Sequence, residues 1–153
     1  MFAGAGCGDV HSYVQSGNVI FSAAPALSAR LPSLISAQIA KRFGYKIPVV
    51  LRTSEQLGKV IRNNPFLKAA VAEEELHVLF LADMPASRSV EDLDPDRSPS
   101  DSFQVRGQEV YLWLPNGVAR TKLTNQYFDS KLATTSTGRN WRTVTKLFEL
   151  MNA

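Results

Sequence analysis

Arg120, Lys122 and Asn125, followed by Arg139, Asn140 and Lys146, are the residues whose types and spacing suit chemistry in this chain. Arginine offers phosphate or carboxylate a planar fork of donors, and lysine offers a point charge. Each trio brackets the start of a predicted helix, where unpaired N–H groups and the helix dipole also welcome negative charge. Thr135, Ser136 and Thr137 add hydroxyls between them. The chemistry expected is capture of an anion. A solvated basic face with capping residues explains the same pattern, so both readings stand at this point.

Charge is distributed in a way that supports a local anion site. From residue 115 onward six Lys or Arg stand against two acids, a net +4, while the 153-residue chain as a whole carries +3. Apolar residues make up 44% and charged residues 20%, as in an ordinary globular protein. No apolar run approaches the roughly 18 residues that cross a bilayer. Residues 1–9 lack the basic and apolar regions of a signal peptide and read as a loose Gly- and Ala-rich segment. Cys7 is the single cysteine, which suits a reducing, cytoplasmic setting.

Other candidate residues have simpler explanations. Trp113 and Trp141 suit base stacking, but both fall in apolar periodic patterns that place them in a core. Tyr13 and Gln15 fit cross-strand packing better than a cleft. His11 and His77 are isolated, with no Cys or carboxylate at ligand spacing, and no metal or cofactor is expected. Glu73, Glu74 and Glu75 read as a solvated turn. Asp92, Asp94, Asp96 and Asp101 lack the glycine and closing glutamate of a calcium loop. Gly4-Ala-Gly-Cys-Gly8 has no strand before it to make a dinucleotide loop. No established catalytic motif is present, so enzymatic activity stays open.

The elements that position these residues follow from pattern. Ser12–Gln15 and Val19–Ser22 read as strands around Ser16-Gly-Asn18. Pro32–Phe43 reads as a helix with Pro at its start and Gly44 past its end. Residues 47–51 read as a buried strand, and Thr53-Ser-Glu-Gln56 as a capping box opening a helix that ends before Pro65. His77–Leu81 is a further strand, and residues 83–102 a surface connection with one short helix near Val90. Two strands follow, Phe103–Val105 and Val110–Leu114, the second apolar on both faces. A helix is marked by Leu123, Tyr127, Phe128 and Leu132, and a final one runs from Trp141 to Met151 with Asn140 as N-cap. The irregular alternation predicts an α+β fold with antiparallel strands.

Tyr13-Val-Gln-Ser-Gly-Asn-Val-Ile-Phe21, Val110-Tyr-Leu-Trp-Leu-Pro-Asn-Gly117, Lys122-Leu-Thr-Asn125 and Arg139-Asn-Trp-Arg-Thr-Val-Thr-Lys-Leu147 occur together. In that combination the chain resembles the bacterial DUF1697 family, whose name records an unknown function, over residues 10–151. The resemblance implies ferredoxin-like antiparallel sheets with helices packed on one face, in two halves of one domain, about 10–68 and 76–151. It also implies an opening strand and helix before Tyr13, so the sheet is expected to be N-terminally incomplete. The function expected is a non-catalytic cytoplasmic module binding a nucleotide, nucleic acid or phosphate-bearing metabolite. An enzyme acting on a phosphorylated or carboxylated small molecule is the alternative, as is a structural module self-associating through an open sheet edge.

Overall fold

The structure is a computed structural model, and it describes residues 2–13, 17–44, 49–68 and 71–152, without the side chains of residues 11–13. The N-terminal residues are tied down, contrary to the loose segment expected. Phe2–Gly6 form a turn, the Cys7 side chain is buried, and β1 (Gly8–Tyr13) begins directly after it. β1 pairs antiparallel with β2 (Asn18–Ser22), and the register shifts between Gly8 and His11, around Asp9 at φ 47°. Val14, Gln15 and Ser16, the first residue of the predicted turn, lie outside the described residues.

A four-residue helix α1 (Pro25–Ser28) leads into α2 (Leu31–Phe43). Pro32 stands in its first turn, where a missing N–H costs nothing, and Gly44 closes it at φ 79° with its N–H on the Ala40 carbonyl. Leu31 and Ile35 pack with Cys7, Phe21 and Val49 into a small core. Residues 49–51 are not a strand; Val49 and Val50 serve two different cores as half-buried connectors. The strand expected over 47–51 is absent from its described part because no ladder partner stands beside it. Residues 47 and 48 lie outside the described residues.

α3 (Ser54–Arg62) opens on the capping box read from the sequence. Thr53 Oγ1 accepts the Gln56 N–H at 3.1 Å and Gln56 Oε1 accepts the Thr53 N–H at 2.8 Å. After a 3-10 turn at Glu73–Glu75 come β3 (Leu76–Leu81), α4 (Ser87–Glu91), β4 (Ser102–Arg106), β5 (Glu109–Trp113), α5 (Asn125–Leu132), β6 (Ser136–Asn140) and α6 (Trp141–Met151). The four strands form one antiparallel sheet in the order β4-β5-β3-β6. With the two-stranded sheet and the six helices among the described residues, the fold is α+β.

β3 and β5 are apolar at successive positions, so both sheet faces need cover. On one face Leu79, Leu81, Val110 and Leu112 meet Leu123, Tyr127, Phe128 and Leu132 from the α5 region, with Val90 of α4 packed alongside. On the other, Leu76, Val78, Phe80 and Tyr111 meet Leu57 and Val60 of α3 and Trp141 and Val144 of α6. Helices therefore lie on two faces rather than the single face expected. Trp141 is only 3% exposed, and Trp113 packs tilted against Phe66 while its indole N–H donates to Glu75 at 2.7 Å. Both indoles are packing residues, which leaves neither as a stacking platform.

Candidate functional site

β6 was not predicted, and it carries much of the site. Its sequence, Ser-Thr-Gly-Arg-Asn, has no apolar residue because the strand lies at the sheet edge. Its pairing with β3 sets His77 opposite Asn140, Val78 opposite Arg139 and Leu79 opposite Gly138. Directly opposed residues share a face, so His77, Asn140 and Gly138 look toward α5. There a hollow of about 390 Å³ opens between the sheet, the 115–124 loop and the start of α5. That volume falls in the range of small-molecule sites.

The hollow has an apolar floor and a polar end. Leu79, Leu112, Leu114, Leu123 and Val118 supply the apolar part. Thr121, Thr124, Asn125, His77, Asn140 and Arg139 supply the polar part. Gly138 makes room between them: a Cβ there would stand 3.0 Å from Leu79 Cδ2 and 3.8 Å from Asn125 Oδ1.

Three of the six predicted residues meet in this hollow, namely Asn125, Arg139 and Asn140. The other three do not line it. Lys146 points along α6 to Glu149 at 3.5 Å. Arg120 and Lys122 are exposed on the loop, flanking the lining residue Thr121 in sequence. Ser136 faces inward and is consumed by hydrogen bonds to Asp129 and Asn125, and neither Thr135 nor Thr137 is among the lining residues.

Arg139 links the site to the N-terminal hairpin. Its Nε donates to Asn18 Oδ1 at 2.6 Å, Nη1 to the Gly138 carbonyl at 2.7 Å and Nη2 to the Gly17 carbonyl at 3.4 Å. Burial pulls its pKa below the ordinary arginine value, and a guanidinium nonetheless stays charged. Asn18 is buried, and its Nδ2 has no hydrogen-bond partner among the described residues. Asn140 caps α6 through Oδ1, which accepts the Thr143 N–H at 2.8 Å. Its Nδ2 has no protein partner among the described residues. Thr124 likewise caps α5, accepting the Tyr127 N–H at 3.2 Å, and keeps its hydroxyl proton to donate.

His77 is the site residue missed from sequence. It looks isolated because the polar residues that share the hollow with it lie more than forty positions away in sequence. The available signal was strand alternation, which puts it on the face of Leu79 and Leu81. Burial lowers its pKa below 6.5, so the imidazole is neutral at pH 7. The unfolded chain then binds more protons through the window below 6.5, and stability falls as pH drops through it. His77→Gln is expected to flatten that part of a urea-unfolding profile taken between pH 7 and pH 5; an unchanged slope contradicts the assignment.

Among the described residues no three His, Cys, Asp or Glu side chains gather as a metal site. No described helix is long and apolar enough to cross a membrane. The site is thus an open hollow on an α+β scaffold, lined by both apolar and hydrogen-bonding residues and bordered by Arg139. The chain belongs to the DUF1697 family, described as a protein family of unknown function, whose model matches residues 1–111. The match includes the Tyr13–Phe21 segment, β3 and the start of β5, while α5, β6 and α6 lie beyond it. No curated protein and no solved structure matches the chain.

Proposed function

We propose that this protein binds a small anionic ligand, a nucleotide or a phosphate- or carboxylate-bearing metabolite, in the hollow between β6, β3 and the start of α5. The observation that carries the reading is one cavity whose lining joins the polar residues Thr121, Thr124, Asn125 and Asn140 to Leu79, Leu112, Leu114 and Leu123, with Arg139, opposite Val78 in the β3–β6 register, bordering it from the strand's other face. A ligand with an anionic head and an apolar or planar body matches that division. Arg120 and Lys122, one residue either side of Thr121, raise the local positive potential and favour entry of an anion. The small-molecule reading is preferred to nucleic acid because both tryptophans are packed and the remaining cations are dispersed. The one cysteine is buried, which fits action in the cytoplasm.

A specific observation keeps a catalytic role as second reading. His77 lines the hollow as a neutral imidazole, the form required of a general base. On that reading Arg139 holds the acid group of the substrate and His77 takes a proton from it or from water.

Calorimetric titration with phenyl phosphate, adenosine monophosphate and a single-stranded oligonucleotide at low salt tests the proposal. Saturable binding of the small phosphates is expected, weakening as salt rises, with no gain in affinity as an oligonucleotide lengthens. Failure of every small phosphate and carboxylate to bind at low salt would end the proposal. Affinity growing with oligonucleotide length would move the function to nucleic acid.

A further inference from the structure

The orientation of one amide in the hollow is fixed by its neighbours. Asn125 Nδ2 lies 2.9 Å from Ser136 Oγ and 3.3 Å from the Ser136 carbonyl oxygen. Ser136 Oγ in turn lies 2.5 Å from Asp129 Oδ1. A carboxylate only accepts, so the Ser136 hydroxyl proton goes to Asp129. That leaves Ser136 Oγ as an acceptor towards Asn125, and its carbonyl is an acceptor by nature. Both groups beside this end of the Asn125 amide therefore require a donor. A flipped amide would set its oxygen against two acceptors, so the NH₂ belongs there.

Asn125 Oδ1 is consequently turned away from Ser136. It is the atom found 3.8 Å from where a Cβ of residue 138 would stand, and glycine leaves that space open. Among the described residues it receives no hydrogen bond. Thr121 and Thr124 already accept the N–H groups of Leu123 and Tyr127, and their protons remain to be given. Arg139 can only donate. The polar end of the hollow thus holds several donors and, at Asn125, an acceptor locked in place by the Asp129–Ser136 relay.

We infer that Asn125 Oδ1 reads a hydrogen-bond donor on the ligand, so the site selects acids that also carry a hydroxyl or N–H over acids of the same shape without one. This rests on the anion-binding reading above and narrows the ligand class. Asp129 and Ser136 are positioning residues: they fix which end of the amide faces the ligand.

Matched probes test it. Benzoate, 3- and 4-hydroxybenzoate and their methoxy counterparts, with phenyl phosphate and 3- and 4-hydroxyphenyl phosphate, are titrated into labelled protein and followed by NMR. At least one hydroxy isomer should bind about three- to tenfold more tightly than its parent and its methoxy analogue, the contribution of one neutral hydrogen bond. In Asn125→Ala the ratio of hydroxy to parent affinity should fall to near one. In Ser136→Ala, where only the residue-136 carbonyl still holds the NH₂, the ratio should fall part of the way. Parent acids that bind with no preference for any hydroxy isomer overturn the inference and leave anion binding intact. A preference that persists in both variants overturns it too, since the acceptor is then elsewhere. If no acid binds, the anion-binding reading has failed and the inference goes with it.

Discussion

Replacing Arg52 with Met is expected to destabilise the protein by about 2–4 kcal/mol at neutral pH, approaching the cost of breaking a buried ion pair from one side because this pair is largely shielded from solvent. Arg52 Nη2 lies 3.0 Å from Glu109 Oε2, and Nε donates to the same oxygen at 3.1 Å. The two side chains are only 12% and 16% exposed. The guanidinium also donates to the carbonyls of Leu51, Leu81 and Gln108 at 2.8, 2.9 and 3.1 Å, and sits 5.5 Å from the Phe80 ring centroid. It therefore fastens the connector before α3 to the β3 end and the β4–β5 turn. Without it, Glu109 keeps its charge in a half-buried position and three carbonyls lose a donor.

The pH dependence of that loss has a definite sign. Burial raises the Glu109 pKa above 4.5, against the lowering pull of the Arg52 charge and hydrogen bond. The native state then holds the proton more tightly than the unfolded chain, so this group's contribution to stability falls as pH rises from 4.5 through the folded-state pKa. Removing Arg52 removes the lowering causes and pushes the pKa further up. The Arg52→Met deficit should accordingly shrink between pH 7 and pH 5. Adding Glu109→Gln should recover much of the stability at pH 7. Urea unfolding of the single and double variants at both pH values measures this. A loss under about 1 kcal/mol, independent of pH, contradicts the ion-pair account, since that is the size of an exposed pair.

Arg139→Ala is expected to lower affinity for phenyl phosphate at least tenfold, because a charge-assisted hydrogen bond contributes about 1.5–3 kcal/mol. It should also cost about 1–3 kcal/mol of stability, since Asn18 is 7% exposed and loses the donor to its Oδ1 while its Nδ2 already lacks a partner. Arg139→Lys separates the two effects. An ammonium keeps the charge but cannot span Asn18 Oδ1 and the Gly17 carbonyl as a planar fork does. It should lose a similar amount of stability yet bind more tightly than the alanine variant. Equal affinity of all three proteins would remove Arg139 from the binding role.

The sequence was informative where chemistry is local. Pro32 and Gly44 bound α2, Thr53 and Gln56 start α3, and Asn140 caps α6, because caps depend on residues within a turn. β3 and β5 were legible as apolar runs, and so was the hairpin joining β4 to β5. β6 was not, since an edge strand that must leave room beside Leu79 carries Gly138 and polar residues. Of the apolar run expected as a strand at 47–51, Val49 and Val50 serve two different cores and residues 49–51 join no described ladder. The hollow brings together three of the six residues of the basic constellation, Asn125, Arg139 and Asn140. A count of charges sees residue type but not direction, and it could not tell that Lys146 turns to Glu149 while Arg139 reaches Asn18. His77 needed the β3–β6 register, which no local pattern encodes.

Amide chemical-shift mapping during a phenyl phosphate titration is the most direct test of the binding site. Saturating shifts centred on Leu79, Thr124, Asn125, Gly138 and Asn140, lost in Arg139→Ala, are predicted. Shifts that spread over the exposed cations of the 115–124 loop and α6 without saturating, leaving Leu79 and Gly138 unmoved, would show that the hollow is not a receptor.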